Sequence, residues 1–303
     1  MTQSAPGDDA WTIRRVVAWA TDDLRKRGSS SPRLDVELLL GRVLGLDRIR
    51  LVIDADRPLD KIELTRYREL HQRRRAGEPI AYLLGVREFY GRSFRVDRRV
   101  LIPRPDTEAL VDVALARTRP LYLSARVLDL CTGSGCVAIS LARERPTTRV
   151  LGLDISPEAL TVAKENAIRL GAVTMGLVQS DLFQVLDPRR HRFDLITANP
   201  PYIAAAEHAT LAVDIRAFEP KLALVAAEEG LALLRRIVNE APRFLDAGGA
   251  LAVEVGAEQA PEVRRMFEGR RFSDVAIRKD YGGHERVVSG VTPREPIALK
   301  SGA

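Results

Sequence analysis

At 303 residues, with 46% apolar and 29% charged residues, the chain has the composition of a folded globular protein rather than a disordered or membrane one. It has no apolar run near the ~20 residues of a membrane span, no basic and apolar leader in "MTQSAPGDDAW", and too few cysteines (Cys131 and Cys136) for a disulfide framework, so a cytoplasmic location is expected. The net charge of +6 sits in the first third, where residues 1–100 hold 21 Lys and Arg against 15 Asp and Glu while the remainder holds 26 of each.

A basic module of that kind suits nucleic acid or an acidic protein surface, or is simply a solvated helical face; charge alone does not choose. Residues 1–9 read as a polar tail. From Trp11 to about Arg75 the spacing is helical: "WTIRRVVAWATDDLRKRG" ends in Gly28, and "SPRLDVELLLGRVLG" opens with Ser31 as a cap before Pro32. A third amphipathic stretch, "DKIELTRYRELHQRRRAG", closes at Gly77. Three or four short helices make a small bundle over residues 1–85. "EFYGRSFRVDRRVLIPRPDTE" follows and reads as a hairpin with its turn near Gly91–Ser93, giving a linker over residues 86–104. From residue 105 to 303 strand and helix patterns alternate: "ARVLDL", "RVLGLD", "MGLVQSD", "RFDLITAN" and "GALAVEV", with helical stretches between them, then "DVAIRKD" and "RVVSG". That alternation predicts an α/β domain with a parallel sheet wound on both faces.

Three strand ends carry ligand-binding chemistry. In "VLDLCTGSGCVAISLA" a strand turns through Gly133 and Gly135 into a helix, so the backbone can approach a ligand at the helix N-terminus. Tight turns often need glycine for their own sake, and the turn alone is weak evidence. Asp154 ends the next strand, at the ~20-residue offset where an acidic side chain accepts from ribose hydroxyls. Asp181, in "QSDLF", ends the third, where it can reach an adenine edge while Leu182 or Phe183 packs on the base. The pattern from Asp129 to Gly135, "DLCTGSG", resembles the first motif of class I S-adenosylmethionine-dependent methyltransferases, which bind no pyrophosphate.

"FDLITANPPY" brings Asn199 to the same rim. Two prolines stop strand pairing, which by itself explains no more than a strand end. With an amide before them and a ring after, they do more. A planar substrate nitrogen can give one hydrogen to the Asn199 side-chain oxygen and one to the Pro200 carbonyl, with Tyr202 stacked on its face. Such a clamp works by proximity and orientation and needs no strong base.

"NPPY" is similar to the catalytic motif of amino-methyltransferases that act on adenine N6 or on glutamine amides. "GEPIAYLLGVREFYG", "LIPRPDTEALVDVAL", "FEPKLALVAAEEGL" and "KDYGGHERVVSG" together resemble the HemK/PrmC family, the release-factor glutamine methyltransferases, from about Pro32 to Val291. The resemblance implies a small helical N-terminal domain, a hairpin linker and a seven-stranded, mostly parallel methyltransferase sheet of Rossmann-like kind. Because the helical part holds all the excess positive charge and no catalytic group, it is expected to recognise the protein substrate. It implies S-adenosylmethionine as cofactor and methylation of the glutamine amide nitrogen in the Gly-Gly-Gln loop of class I peptide chain release factors.

Carried onto this chain, the family's cofactor loop falls on Cys131, Thr132, Gly133, Ser134 and Gly135, its ribose carboxylate on Asp154 and its adenine contacts on Asp181 and Leu182. The substrate clamp falls on Asn199, Pro200, Pro201 and Tyr202, with Asn199 also beside the cofactor, Phe89 walling the glutamine pocket and Arg104 to Glu108 lying close by. Cys131 stands where glycine is usual, and Leu182 where an aromatic is sometimes found. No stable nucleic-acid partner, no membrane and no metal are expected: the cysteines and His71, His191, His208 and His284 lack ligand spacing. A ribosomal-protein glutamine or a nucleic-acid adenine N6 remains the alternative substrate on the same clamp, and an inactive S-adenosylmethionine-binding adaptor the alternative to an enzyme.

Overall fold

The computed structural model describes residues 10–119, 124–173 and 175–293. The chain divides into two units, Met1–Gly85 with Val213–Phe218, and Val86–Ala212 with Glu219–Ala303. The polar tail over residues 1–9 lies outside the described residues.

The first unit is helical: α1 (Ile13–Lys26), α2 (Pro32–Leu44), α3 (Arg48–Ile53), α4 (Lys61–Arg75) and α5 (Ile80–Leu84). Thr12, Asp47 and Asp60 cap α1, α3 and α4, each side chain accepting a backbone N–H of the first turn. Ser31 departs from the expectation. Pro32 does open α2, but the Ser31 side chain makes no cap bond, because its ψ of 56° is far from the extended 163–173° of the working caps. Ile13, Val16, Ala20 and Leu24, one face of α1, bury against Val36, Leu39 and Leu40 of α2 and Tyr67 of α4.

The second unit opens with a hairpin, β1 (Val86–Phe89) and β2 (Arg92–Arg95), whose register pairs Phe89 with Arg92. The turn is therefore Tyr90–Gly91, one residue earlier than the sequence suggests. Both have positive φ (49° and 68°), the backbone of the two-residue turns that match strand twist. Ser93 is already paired with Glu88.

Next come α6 (Glu108–Thr118), β3 (Arg126–Leu130), α7 (Cys136–Glu144), β4 (Arg149–Asp154), α8 (Pro157–Arg169), β5 (Gly176–Gln179) and β6 (Phe193–Ala198). A two-residue strand pair, β7 (Ile203–Ala204) with β8 (Val225–Ala226), brackets α9 (Ala205–His208) and the first-unit segment α10 (Val213–Phe218). The last described elements are α11 (Ala232–Glu240), β9 (Leu245–Glu254), α12 (Ala260–Gly269), β10 (Ser273–Lys279) and β11 (Glu285–Val291).

The main sheet has seven strands in the order β10-β11-β9-β6-β3-β4-β5, antiparallel only where β11 meets its two neighbours. Strand residues alternate between two cores. Leu128, Leu130, Ile196, Leu251, Val253 and Val288 face one side, while Val127, Leu195, Ala250, Ala252 and Val287 face the other. The chain winds outward from β3 through β4 to β5, then returns to place β6 on the other flank of β3. At such a reversal the crossovers diverge and a crevice opens beyond the carboxyl ends of the two strands.

Candidate active site

A cavity of about 270 Å³ lies at that crevice, lined by residues that follow β3 to β6 and by Arg104 and Thr107 before α6. Cys131, Thr132, Gly133 and Ser134 supply one wall, and Asp154, Asp181, Leu182, Asn199 and Pro201 come from the next three strand ends.

The loop after β3 is fixed by hydrogen bonds in every direction. Asp129, buried, accepts from the hydroxyls of Thr132 and Thr197 at 2.7 Å each. Burial, only partly offset by these donors, pushes its carboxyl up to about 6. Gly133 donates its N–H to Asp154 Oδ2 at 2.8 Å, Ser156 donates to Asp154 Oδ1 at 2.9 Å, and Asn166 donates from Nδ2 to the Ser134 carbonyl. Gly133 has φ +54°, and a Cβ there would meet nothing closer than 3.9 Å, so the glycine keeps the cavity wall low. Gly135 serves the helix instead: it precedes α7 at φ +80°, and a Cβ would lie 2.8 Å from Ile139 Cδ1.

Cys131 has φ +56° and Leu182 φ +49°, left-handed conformations that cost a non-glycine residue strain. This gives glycine a physical reason to be usual at position 131. Burial, with Asp154 and Asp129 nearby, drives the Cys131 thiol pKa well above the ordinary value and so disfavours the thiolate. Leu182 is buried in the core as well as reaching the cavity. Asp181 is held by Arg236 at 3.1 Å and Gln184 at 3.3 Å.

Three carboxylates, Asp129, Asp154 and Asp181, thus ring the glycine turn. The guanidiniums on the wall are each engaged: Arg236 with Asp181, Arg104 with Glu219 and Arg99 with Asp97. That charge pattern repels a pyrophosphate and suits a cationic ligand carrying ribose and a base.

Of the clamp, Asn199 and Pro201 reach the cavity, whereas Pro200 is buried and does not line it. The Asn199 side chain donates from Nδ2 to Thr107 Oγ1 at 3.2 Å. Tyr202 is turned into the sheet side, packed against the first core, with its hydroxyl 3.4 Å from Glu254 Oε1. Phe89 lies elsewhere: it is 1% exposed and packs edge-on against Phe94 in the second core.

Thr107, within the Arg104–Glu108 run expected close by, is buried and lines the cavity. Glu254 was not singled out by the sequence: it ends β9, 1% exposed, with burial raising its carboxyl to about 7. A charge closing the apolar run "GALAVE" was the available signal. Glu219, from "FEPKLALV", accepts from the Ile102 N–H at 3.1 Å and from Arg104 at 2.6 Å, tying two of the family-like motifs together at the cavity. In "DYGGHER", Asp280 accepts from the His284 N–H and Arg286, and Arg286 reaches Asp106 at 3.4 Å. Among the described residues no cluster of three or more His, Cys, Asp or Glu side chains could hold a metal ion, and no helix is long and apolar enough to cross a membrane.

Comparison with known proteins adds the following. Residues 15–85 match the family described as PrmC N-terminal domain, and residues 124–279 match the one described as methyltransferase domain. The chain is 43% identical over 282 residues to a release factor glutamine methyltransferase of Geobacter sulfurreducens, covering 93% of this chain and 97% of that one. It is 43% identical over 279 residues to its namesake in Vibrio cholerae, covering 92% and 96%. The solved catalytic domain of hMettl16 is similar in fold alone, at TM-score 0.55 and 14% identity over 75% of this chain and 82% of that one.

Proposed function

The chain belongs to the release factor glutamine methyltransferase family, and we propose that it methylates the side-chain N5 nitrogen of the glutamine in the Gly-Gly-Gln motif of class I release factors. S-adenosylmethionine is its cofactor, and when bound it supplies an electrophilic methyl group on a sulfonium. The observation that carries the substrate reading is the place of Asn199, whose side chain stands on the wall of the carboxylate-ringed cavity with Nδ2 already engaged.

The chain's own residues do the rest. Asp154 has each carboxylate oxygen in one backbone bond, which leaves a lone pair on each for a ribose hydroxyl. Asp181 offers an acceptor to an exocyclic amine, and Leu182 an apolar surface to a base. The loop from Cys131 to Gly135 shapes the methionine side. Asn199 Oδ1 accepts a hydrogen of the glutamine amide and orients its plane, while Pro201 closes the wall, buried Pro200 stiffens the turn behind it and Tyr202 braces that turn. The amide nitrogen must lose one proton as it gains a methyl; the methylated nitrogen is acidic enough to give that proton to water, so Asn199 has to orient it but no dedicated base is needed.

Residues 1–85, which carry excess positive charge, we assign to holding the body of the release factor, residues 86–104 to joining that part to the catalytic domain of residues 105–303, and the enzyme to the cytoplasm where translation proceeds. Labelled methyl transfer to a release factor, a ribosomal protein and DNA in parallel tests the reading. Label in the release factor alone is expected, and label in either of the others instead would overturn it.

A further inference from the structure

Asn199 presents an ambiguity that the clamp has to resolve. A primary amide has a donor end and an acceptor end of nearly equal shape, and only one orientation leaves Oδ1 toward a substrate N–H. Thr107, the side-chain partner of Asn199, does not settle the matter alone, since a hydroxyl can donate or accept.

We propose that Thr107 and Glu254 are positioning residues that set the orientation of the Asn199 amide: Glu254 takes the Thr107 hydroxyl hydrogen, so Thr107 can only accept, and it therefore engages Nδ2 and leaves Oδ1 to the substrate. The proposal rests on Asn199 being the substrate clamp.

The Asn199–Thr107 bond is present in the structure, and the Thr107–Glu254 bond is the inferred link. Glu254 ends β9, the strand beside β6, one residue past the Val253–Ala198 pair. Its Oε1 lies 3.4 Å from the Tyr202 hydroxyl, and its buried Oε2 has no hydrogen-bond partner among the described residues. The carboxylate thus has acceptor capacity left, and the nearby Thr107 hydroxyl, as a donor, holds its pKa down. An ionised carboxylate offers Thr107 no hydrogen in return.

The charges around Glu254 come from four directions. Thr107 and Asp106 face it from the turn before α6, Tyr202 from beyond β6, Arg286 from β11, and Cys136 at the start of α7. Arg286 attracts the ionised form and is itself held by Asp280 at 3.2 Å and by the Val255 carbonyl at 3.2 Å. The "DYGGHER" segment thereby acquires a place, since it carries the cation that helps keep Glu254 ionised.

Protonation would undo the arrangement. A neutral Glu254 can donate to Thr107, which frees the threonine hydrogen for Asn199 Oδ1 and allows the amide to turn over. Burial raises the Glu254 carboxyl to about 7. It is the acceptor above that value and a donor below it, so turnover should fall as pH drops through it.

The test uses the full-length enzyme on a class I release factor. Thr107→Val is expected to lower kcat by roughly 10-fold or more, with cofactor affinity and melting temperature unchanged, and Thr107→Ser to restore most of it. Glu254→Gln is expected to abolish the acid limb near pH 7. Normal turnover in Thr107→Val, no rescue in Thr107→Ser, or an acid limb that survives Glu254→Gln would each overturn the relay. Should Thr107→Val lose cofactor binding through misfolding, the Glu254→Gln pH profile still decides. Asn199→Ala separates the two levels: if it stays active the clamp itself is wrong, whereas an inactive Asn199→Ala beside a normal Thr107→Val removes only the relay.

Discussion

Gly230 lies directly against the carbonyl of Tyr202: a Cβ at position 230 would fall 2.0 Å from that oxygen, and Gly230 itself sits at φ +84°. The same oxygen accepts from Gln259 Nε2 at 2.9 Å, and Gln259 also bonds the Glu229 carbonyl. The turn that carries the clamp is thus fixed by a glycine and a glutamine distant in sequence. Gly230→Ala has to move backbone and strain φ as well, so a stability loss of about 1–3 kcal/mol is expected, with turnover falling further than cofactor affinity. Chemical denaturation and steady-state kinetics measure both, and an unchanged variant would mean that the turn is held by other contacts.

Asn199→Ala removes the amide altogether. Cofactor affinity should stay within a few-fold of the parent, while turnover on the release factor falls by roughly 10²-fold, the cost of about 1 Å of misplacement. Paired calorimetry and kinetics would show it; near-normal turnover would take Asn199 out of the mechanism.

Asp154 anchors Gly133 and Ser156 as well as serving as the expected ribose acceptor. Asp154→Ala loses charge-assisted bonds worth about 1.5–3 kcal/mol, so S-adenosylmethionine affinity should drop by about 10-fold or more. Unchanged affinity by calorimetry would place the ribose contact elsewhere.

Cys131 offers a test of opposite sign. Its left-handed backbone costs a non-glycine residue roughly 1–2 kcal/mol, so Cys131→Gly should leave stability equal or slightly higher and activity intact. Cys131→Val, β-branched at the same φ, should lose both. The wild-type thiol should alkylate slowly near neutral pH, since burial and two carboxylates disfavour the thiolate. Rapid alkylation in the folded enzyme would contradict that placement.

The strand ends were legible because each is written locally. "VLGLD" and "LITAN" are buried runs that close on a polar residue, "VLDL" carries Asp129 just before its glycine turn, and a parallel sheet brings such ends to one rim. Direction across the sheet was not legible. Phe89 and Phe94 both face inward only because the hairpin turns at Tyr90–Gly91 and lies on the core. Tyr202 faces Glu254 instead of the open cavity, a consequence of β6 and β9 being neighbours. Thr107 meets Asn199 across 92 residues of chain, and Arg104 meets Glu219 across 115. No periodicity or spacing encodes contacts of that kind; they follow from the topology.

The central claim is that the pocket beside Asn199 holds a planar glutamine amide for methylation. Its most direct test is tandem mass spectrometry of a class I release factor after incubation with the enzyme and S-adenosylmethionine. One added methyl group on the side-chain nitrogen of the Gly-Gly-Gln glutamine is expected, lost when that glutamine is replaced by glutamate. A methyl group on any other residue, or a release factor left unmodified by an enzyme that binds its cofactor normally, would contradict the account.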